Sequence, residues 1–228
     1  MQTIIKIDIA PGETVTAIAY PASRQGEAAI TLILGPGAGA DQTSRFMVQF
    51  GTALSMRGID VVTFNFSYME HARRVPDRND RLEACYRRVI DAIRNHKTFG
   101  RQPFAIGGKS MGGRIASQVA ASGADDLAGL VLLGYPLHPP GRPDQLRVRH
   151  LPAIKAPILI VQGSRDAFGT PAELQPIIGG ITASTMLHVV DGADHSFKVP
   201  KRSGVPQEAV YASIQDEIAS WLRNNLSG

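Results

Sequence analysis

The sequence predicts a doubly wound α/β fold: a mostly parallel sheet with helices on both faces. Three observations carry that expectation. From residue 29 onward, short and nearly all-apolar runs recur along the chain. They alternate with longer stretches whose apolar residues return every three or four positions. Two β-rich segments of partly alternating polarity precede them. Parallel strands read as continuous apolar runs because helices bury both faces of their sheet. Strand–helix alternation is the pattern of α/β folds.

The elements follow in order. Residues 3–9 and 14–20 flank the turn dipeptide Pro11-Gly12 and read as half-exposed strands. The apolar runs are residues 29–34, 60–66, 103–107, 127–134, 157–162 and 185–190, which makes about eight strands. The clearest helical stretch is 80–96, with Leu82, Cys85, Tyr86, Val89 and Ile93 along one face. The last is 207–226, where Val210, Ile214, Ile218 and Leu222 recur every fourth residue. No repeat or linker divides the chain, so one domain over 1–228 is expected.

Composition bounds the function. Of 228 residues, 43% are hydrophobic and 19% charged, enough for a sizeable core and against a disordered chain. A net charge of +4 is a weak field over this length, and no nucleic-acid partner is expected. Cys85 is the one cysteine, which rules out an internal disulfide and any multi-cysteine metal site. Its position on the apolar stripe of its helix marks it as core. The longest uncharged apolar run, from Ala28 to Ala40, is broken by Gly35, Pro36, Gly37 and Gly39, so no membrane span is expected. Lys6 and Asp8 interrupt any signal-peptide core. The expected location is the cytoplasm.

In such folds, function sits in loops at the carboxyl ends of strands. After the run ending at Gly107 come Gly108-Lys109-Ser110-Met111-Gly112-Gly113-Arg114 and a helical pattern. This G-x-S-x-G, between strand and helix, has the form of a nucleophile elbow, with Ser110 exposed on a sharp turn. The plainer alternative is a Gly-rich turn that packs a helix on a sheet. Gly108-Lys109-Ser110 also matches the tail of a phosphate-binding P-loop, but the first glycine of that motif would fall on Pro103.

A serine hydroxyl needs a base to act as a nucleophile. Among six histidines, His195 follows the last apolar run in a loop at a strand's carboxyl end. His188 lies within a strand pattern, His96 at a helix end, and His138 and His150 in a Pro-rich stretch. Asp166, four residues past Gln162, is the candidate acid that orients the base. Asp191 and Asp194 are rivals whose plainer role is turn formation. The order Ser110, Asp166, His195 is that of α/β-hydrolases. The Met111 N–H and the Ala38 N–H, in Gly35-Pro36-Gly37-Ala38-Gly39-Ala40, are candidate oxyanion donors.

Together these residues resemble the α/β-hydrolase superfamily, specifically its small members without a large lid, over residues 3–226. Pro36-Gly37 stands where many relatives carry His-Gly. The segments Phe64-Asn65-Phe66-Ser67-Tyr68-Met69-Glu70 and Arg73-Arg74-Val75-Pro76-Asp77-Arg78 resemble a narrower group. It comprises bacterial relatives of the hydrolase-like subunit of the human NSL complex and its testis-expressed relative, near the dienelactone hydrolase-like proteins. The resemblance implies an α/β-hydrolase fold with no large cap. It implies a serine hydrolase activity and little about substrate. The residues themselves point to acyl transfer on a small-molecule acyl substrate, a carboxylic ester first, and to no metal or organic cofactor. Thioester or amide cleavage is open to the same machinery. The alternative is a non-catalytic interaction module on the same fold.

Only 22 residues, 135–156, separate the run 127–134 from the next strand, and they are proline-rich. That predicts a flap at most and an open site. Arg73, Arg74 and Arg78 follow a strand end and are read as a solvated basic face, with an anion-attracting role as the alternative.

Overall fold

The computed structural model describes residues 2–23, 30–123 and 126–226. Strands β1 (Thr3–Ala10) and β2 (Glu13–Tyr20) pair antiparallel around Gly12, whose φ of 72° suits a residue without a Cβ. The remaining strands are β3 (Thr31–Gly35), β4 (Asp60–Phe64), β5 (Phe104–Lys109), β6 (Leu127–Leu133), β7 (Ile158–Gly163) and β8 (Thr185–Val190). They form one sheet of order β1-β2-β4-β3-β5-β6-β7-β8. β2 meets β4 antiparallel, and all pairs from β4 to β8 are parallel. The helices are α1 (Arg45–Met56), α2 (Ser67–Glu70), α3 (Asn79–Arg94), α4 (Met111–Ala121), α5 (Pro171–Ile178) and α6 (Gln207–Leu226). This is the predicted α/β-hydrolase architecture, without a large cap.

The all-apolar strands have a direct cause. Successive side chains on a strand point to opposite faces. Leu32 and Leu34 pack with Phe50 and Leu54 of α1 and with Ile214 and Ile218 of α6. Ile33 between them packs on the other face, with Tyr86 and Val89 of α3 and Ile115 of α4. Both faces are core, so β3 is apolar from Leu32 to Leu34, and its one polar side chain, Thr31, is buried with its hydroxyl donating to the Phe99 carbonyl.

From β3 the chain crosses to β4 on one side, then returns past β3 to add β5 on the other. Connections therefore diverge between β3 and β5, and a crevice opens at their carboxyl ends. Tyr86 pins this point from beneath. Its hydroxyl lies 2.8 Å from the Ile33 carbonyl oxygen and 2.7 Å from that of Gly107, and it accepts the Gly107 N–H at 3.1 Å.

Several boundaries differ from the sequence expectation. The run 60–66 stops being strand at Phe64. Beyond it, the Asn65 N–H donates to the Thr16 carbonyl at 2.9 Å and the chain turns into α2. β5 continues two residues past Gly107 and delivers the chain directly to Ser110. β8 is not a buried strand: it is the sheet edge, with Met186 41% and Val189 44% exposed. Ala29, the first residue of the run 29–34, lies outside the described residues. Between β6 and β7 the regular structure is one three-residue 3-10 turn, Leu151–Ala153. Among the described residues no helix is long and apolar enough to cross a membrane.

Removing the Tyr86 hydroxyl leaves buried backbone groups at the β3–β5 junction without their partner. Tyr86→Phe is expected to lower the unfolding free energy by about 1–3 kcal/mol, measured by urea denaturation.

Candidate active site

The site is assembled at the β3–β5 crevice. β5 ends at Lys109, and α4 begins at Met111. Ser110, the single residue between them, takes φ 50° and ψ −113°. A positive φ in a residue with a Cβ stores strain of order 1–3 kcal/mol. The neighbours hold it there. The Ser110 N–H donates to the Leu133 carbonyl at 2.9 Å, and the Ser110 carbonyl accepts the Arg114 N–H at 3.0 Å.

The flanking glycines answer to one atom. A Cβ on Gly108 would lie 2.4 Å from the Gly35 carbonyl oxygen, and a Cβ on Gly112 would lie 2.1 Å from it. The motif spacing is therefore the imprint of the end of β3 pressed into the turn. Gly37, just beyond, also lies against Ser110: a Cβ there would be 3.8 Å from the Ser110 Cβ.

The structure brings three of the sequence-predicted residues into one hydrogen-bonded chain. His195 Nε2 lies 2.8 Å from Ser110 Oγ, and His195 Nδ1 lies 2.7 Å from Asp166 Oδ2. Asp166 is 1% exposed, and two further donors satisfy it. Gln162 Nε2 donates to Oδ2 at 2.9 Å, and the Phe168 N–H donates to Oδ1 at 2.8 Å. Phe168 also covers the imidazole, with ring centroids 4.2 Å apart. The rival acids stand elsewhere. Asp194 Oδ1 accepts the N–H groups of Ser196 and Lys198 at 2.8 and 2.9 Å, a turn-forming role. Asp191 Oδ1 lies 3.3 Å from Ser164 Oγ.

The other histidines have structural partners. His150 Nε2 meets Ser117 Oγ at 2.7 Å, and burial lowers its pKa to about 4. His138 Nε2 lies 3.2 Å from Glu173, and His188 Nδ1 lies 3.5 Å from Glu217. His96 stacks on Phe99, and His71 Nδ1 lies 2.8 Å from the Ser67 carbonyl.

Ser110 opens onto a cavity of about 590 Å³ whose walls include Gly37, Ala38, Phe46, Pro136, Phe168 and Tyr211. Among the described residues, neither the Met111 N–H nor the Ala38 N–H meets an acceptor. The adjacent Gly39 N–H is held by the Tyr68 hydroxyl at 3.0 Å, which fixes the loop after β3. Arg73, Arg74 and Arg78 do not line the cavity. Arg73 pairs with Asp77 at 2.7 Å and Arg78 with Asp80 at 3.5 Å.

Gln162, Arg114, Arg147, Lys109 and Phe168 are among the site residues that the sequence pattern did not assign to it. Gln162 ends an apolar strand, and that was its only signal: a polar residue in a run that should be buried. Arg114 stands one helical turn past Ser110. Arg147 lies in the proline-rich segment and has no sequence signal. Lys109 precedes the serine and lies mostly buried, its ammonium 5.3 Å from the Phe197 ring centre.

Burial lowers the Lys109 pKa from 10.5 to about 8, against the opposing pull of Asp166 and Asp194.

Three solved structures share the fold over nearly the whole chain. A dienelactone hydrolase from Anabaena variabilis ATCC 29413 matches at TM-score 0.76 and 17% identity, covering 98% of this chain and 97% of that one. Est1E from Butyrivibrio proteoclasticus matches at TM-score 0.78 and 13% identity, covering 99% of each. An α/β serine hydrolase without lid from Xanthomonas campestris matches at TM-score 0.71 and 17% identity, covering 99% of this chain and 94% of that one. The family model described as an alpha/beta hydrolase domain matches residues 28–223.

The Lys109 shift has a sign that can be tested. Between pH 8 and 10.5 the unfolded chain binds the proton and the folded chain does not, so this group makes stability rise with pH. Below pH 8 the full cost of the buried charge is present. Lys109→Met is therefore expected to be more stable than wild type at pH 7, by urea unfolding. Its advantage should shrink steadily through the window from pH 8 to 10.5.

Proposed function

The chain belongs to the alpha/beta hydrolase domain family, and we propose that it is a serine hydrolase that cleaves carboxylic esters through an acyl-enzyme. The observation that carries the proposal is the hydrogen-bonded chain from Ser110 Oγ through His195 to buried Asp166. A hydroxyl 2.8 Å from an imidazole nitrogen can lose its proton to that nitrogen as it attacks a carbonyl.

In this reading His195 Nε2 takes the Ser110 proton while Oγ bonds to the acyl carbon. Asp166 accepts the His195 Nδ1–H, holds the tautomer, and stabilises the imidazolium without itself being protonated. The oxygen of the tetrahedral intermediate takes the unpaired N–H groups of Met111 and Ala38, at the amino end of α4 and in the loop after β3. Because both donors are backbone groups, Pro36 in place of a histidine leaves the donor set complete. The intermediate collapses as His195 gives its proton to the leaving alcohol oxygen. Water then attacks the acyl-enzyme, giving its proton to His195, and the carboxylic acid leaves as Ser110 is reprotonated. This acyl transfer calls on no metal or organic cofactor.

Gln162 is a positioning residue in this scheme. It holds Asp166 Oδ2 from beneath and is itself fixed by the Tyr135 and Gly169 backbones, with its Oε1 accepting the Tyr135 N–H at 2.8 Å.

Wild-type protein is expected to react with a fluorophosphonate probe and to hydrolyse short- and medium-chain p-nitrophenyl esters. Ser110→Ala should abolish labelling, and each of Ser110→Ala, His195→Ala and Asp166→Asn should lower kcat by about 10⁴-fold or more. A well-folded wild type that neither labels nor turns over any ester would overturn the proposal in favour of a non-catalytic module.

A further inference from the structure

The cavity that receives Ser110 carries more positive charge than its own carboxylates offset. Among the described residues, Lys109, Arg114 and Arg147 line it, and Asp77 is the one lining carboxylate. Asp77 is already committed, lying 2.7 Å from Arg73 and 3.7 Å from Arg81.

Arg114 and Arg147 line the cavity and lack a carboxylate partner among the described residues, whereas several arginines of the outer surface are ion-paired. Arg57, Arg73, Arg81 and Arg94 each form an ion pair with an Asp or Glu. Among the described residues, Arg114 and Arg147 form none. Arg114 reaches only neutral amides, Asn79 Oδ1 at 3.0 Å and Gln118 Oε1 at 3.4 Å. Arg147 Nη1 reaches only the Pro136 carbonyl at 3.3 Å. Its backbone is firmly placed, its N–H on the Leu137 carbonyl at 2.8 Å and its own carbonyl under the Tyr135 hydroxyl at 2.6 Å. Burial and the nearby Arg147 charge lower the Arg114 pKa, against the opposing pull of Tyr135 and Glu83. Like charges held together in a partly desolvated cavity are costly unless an anion offsets them.

We infer that Arg114 and Arg147 form a subsite for an oxyanion group, carboxylate or phosphate, carried by the substrate on the acyl side of the scissile bond. The inference deepens the proposed function and rests on Ser110 being the nucleophile. Arg114 sits four residues past Ser110 on α4, about 6 Å along the helix axis. That spacing fits an anion a few bonds beyond the carbonyl. A guanidinium presents paired N–H donors that match two oxygens of a carboxylate or phosphate.

The test compares three p-nitrophenyl esters with a six-carbon acyl chain on the full chain: p-nitrophenyl hydrogen adipate, p-nitrophenyl methyl adipate, and p-nitrophenyl 6-phosphonooxyhexanoate. The expected result is a kcat/KM for at least one anionic ester about tenfold or more above the neutral one. The anionic-to-neutral ratio should fall by about as much in Arg114→Gln and in Arg147→Gln, and recover in part in Arg114→Lys. The preferred anion identifies carboxylate or phosphate as its source. Equal or better turnover of the neutral ester overturns the inference and leaves ester hydrolysis standing. So does a uniform loss on all three esters in the Gln variants, the mark of a structural role. Calorimetric binding of monoethyl adipate and 6-phosphonooxyhexanoate to Ser110→Ala separates the two readings. Arg114-dependent binding in a protein that hydrolyses no ester keeps the anion subsite and removes the hydrolase. Absence of binding for both removes the subsite.

Discussion

One carbonyl oxygen, that of Gly35, constrains the whole carboxyl edge of the sheet. It lies so close to Gly108 and Gly112 that a side chain on either would overlap it. Close packing of this kind leaves the chain between β5 and α4 a single conformational route. That route forces Ser110 to a positive φ and lifts its hydroxyl out of the sheet. The same contact draws the loop after β3 over the serine. The positions of Ser110 and of the Met111 and Ala38 backbone thus share one cause. Tyr86, beneath the same junction, ties Ile33 and Gly107 together and carries the constraint into the core.

The acid side of the site follows a different principle. A buried carboxylate is tolerated only when hydrogen bonds replace its water. Asp166 obtains them from His195, Gln162 and the Phe168 N–H. Gln162 in turn spends its polar atoms on the Tyr135 and Gly169 backbones as well as on Asp166. The network leaves His195 one accessible nitrogen, and that nitrogen faces Ser110. Rigid support is what lets an imidazole stand ready for proton transfer without reorganising.

The cationic lining is compensated only in part, by Asp166 and Asp194 near Lys109 and by Glu83 near Arg114. Lys109 is buried beside aromatic carbon, while Arg114 and Arg147 rest on amides and a carbonyl. A scaffold has no physical reason to keep such charges around an apolar hollow. Stability at the site is given up for the capacity to bind a complementary charge, a common trade where a protein meets its ligand.

The sequence alone determined the fold class, because a strand buried on both faces must be apolar at nearly every position and a covering helix must be apolar every third or fourth. It also determined Ser110, His195 and Asp166 as candidates, because strand ends and Gly-x-Ser-x-Gly spacing are local properties of the chain. Tertiary structure alone decided the rest. The edge position of β8 depends on which strand adds last, and its composition does not record that. The role of Gln162 depends on contacts with the Asp166 carboxylate and the Tyr135 and Gly169 backbones, and that of Arg147 on the Pro136 carbonyl eleven residues back, and no periodicity encodes those. Arg73, Arg74 and Arg78 stand close together in the sequence, yet the cavity takes Arg114 and Arg147. Charge is legible in a sequence, but whether a charge is offset is a matter of distances, and those exist only once the chain has folded.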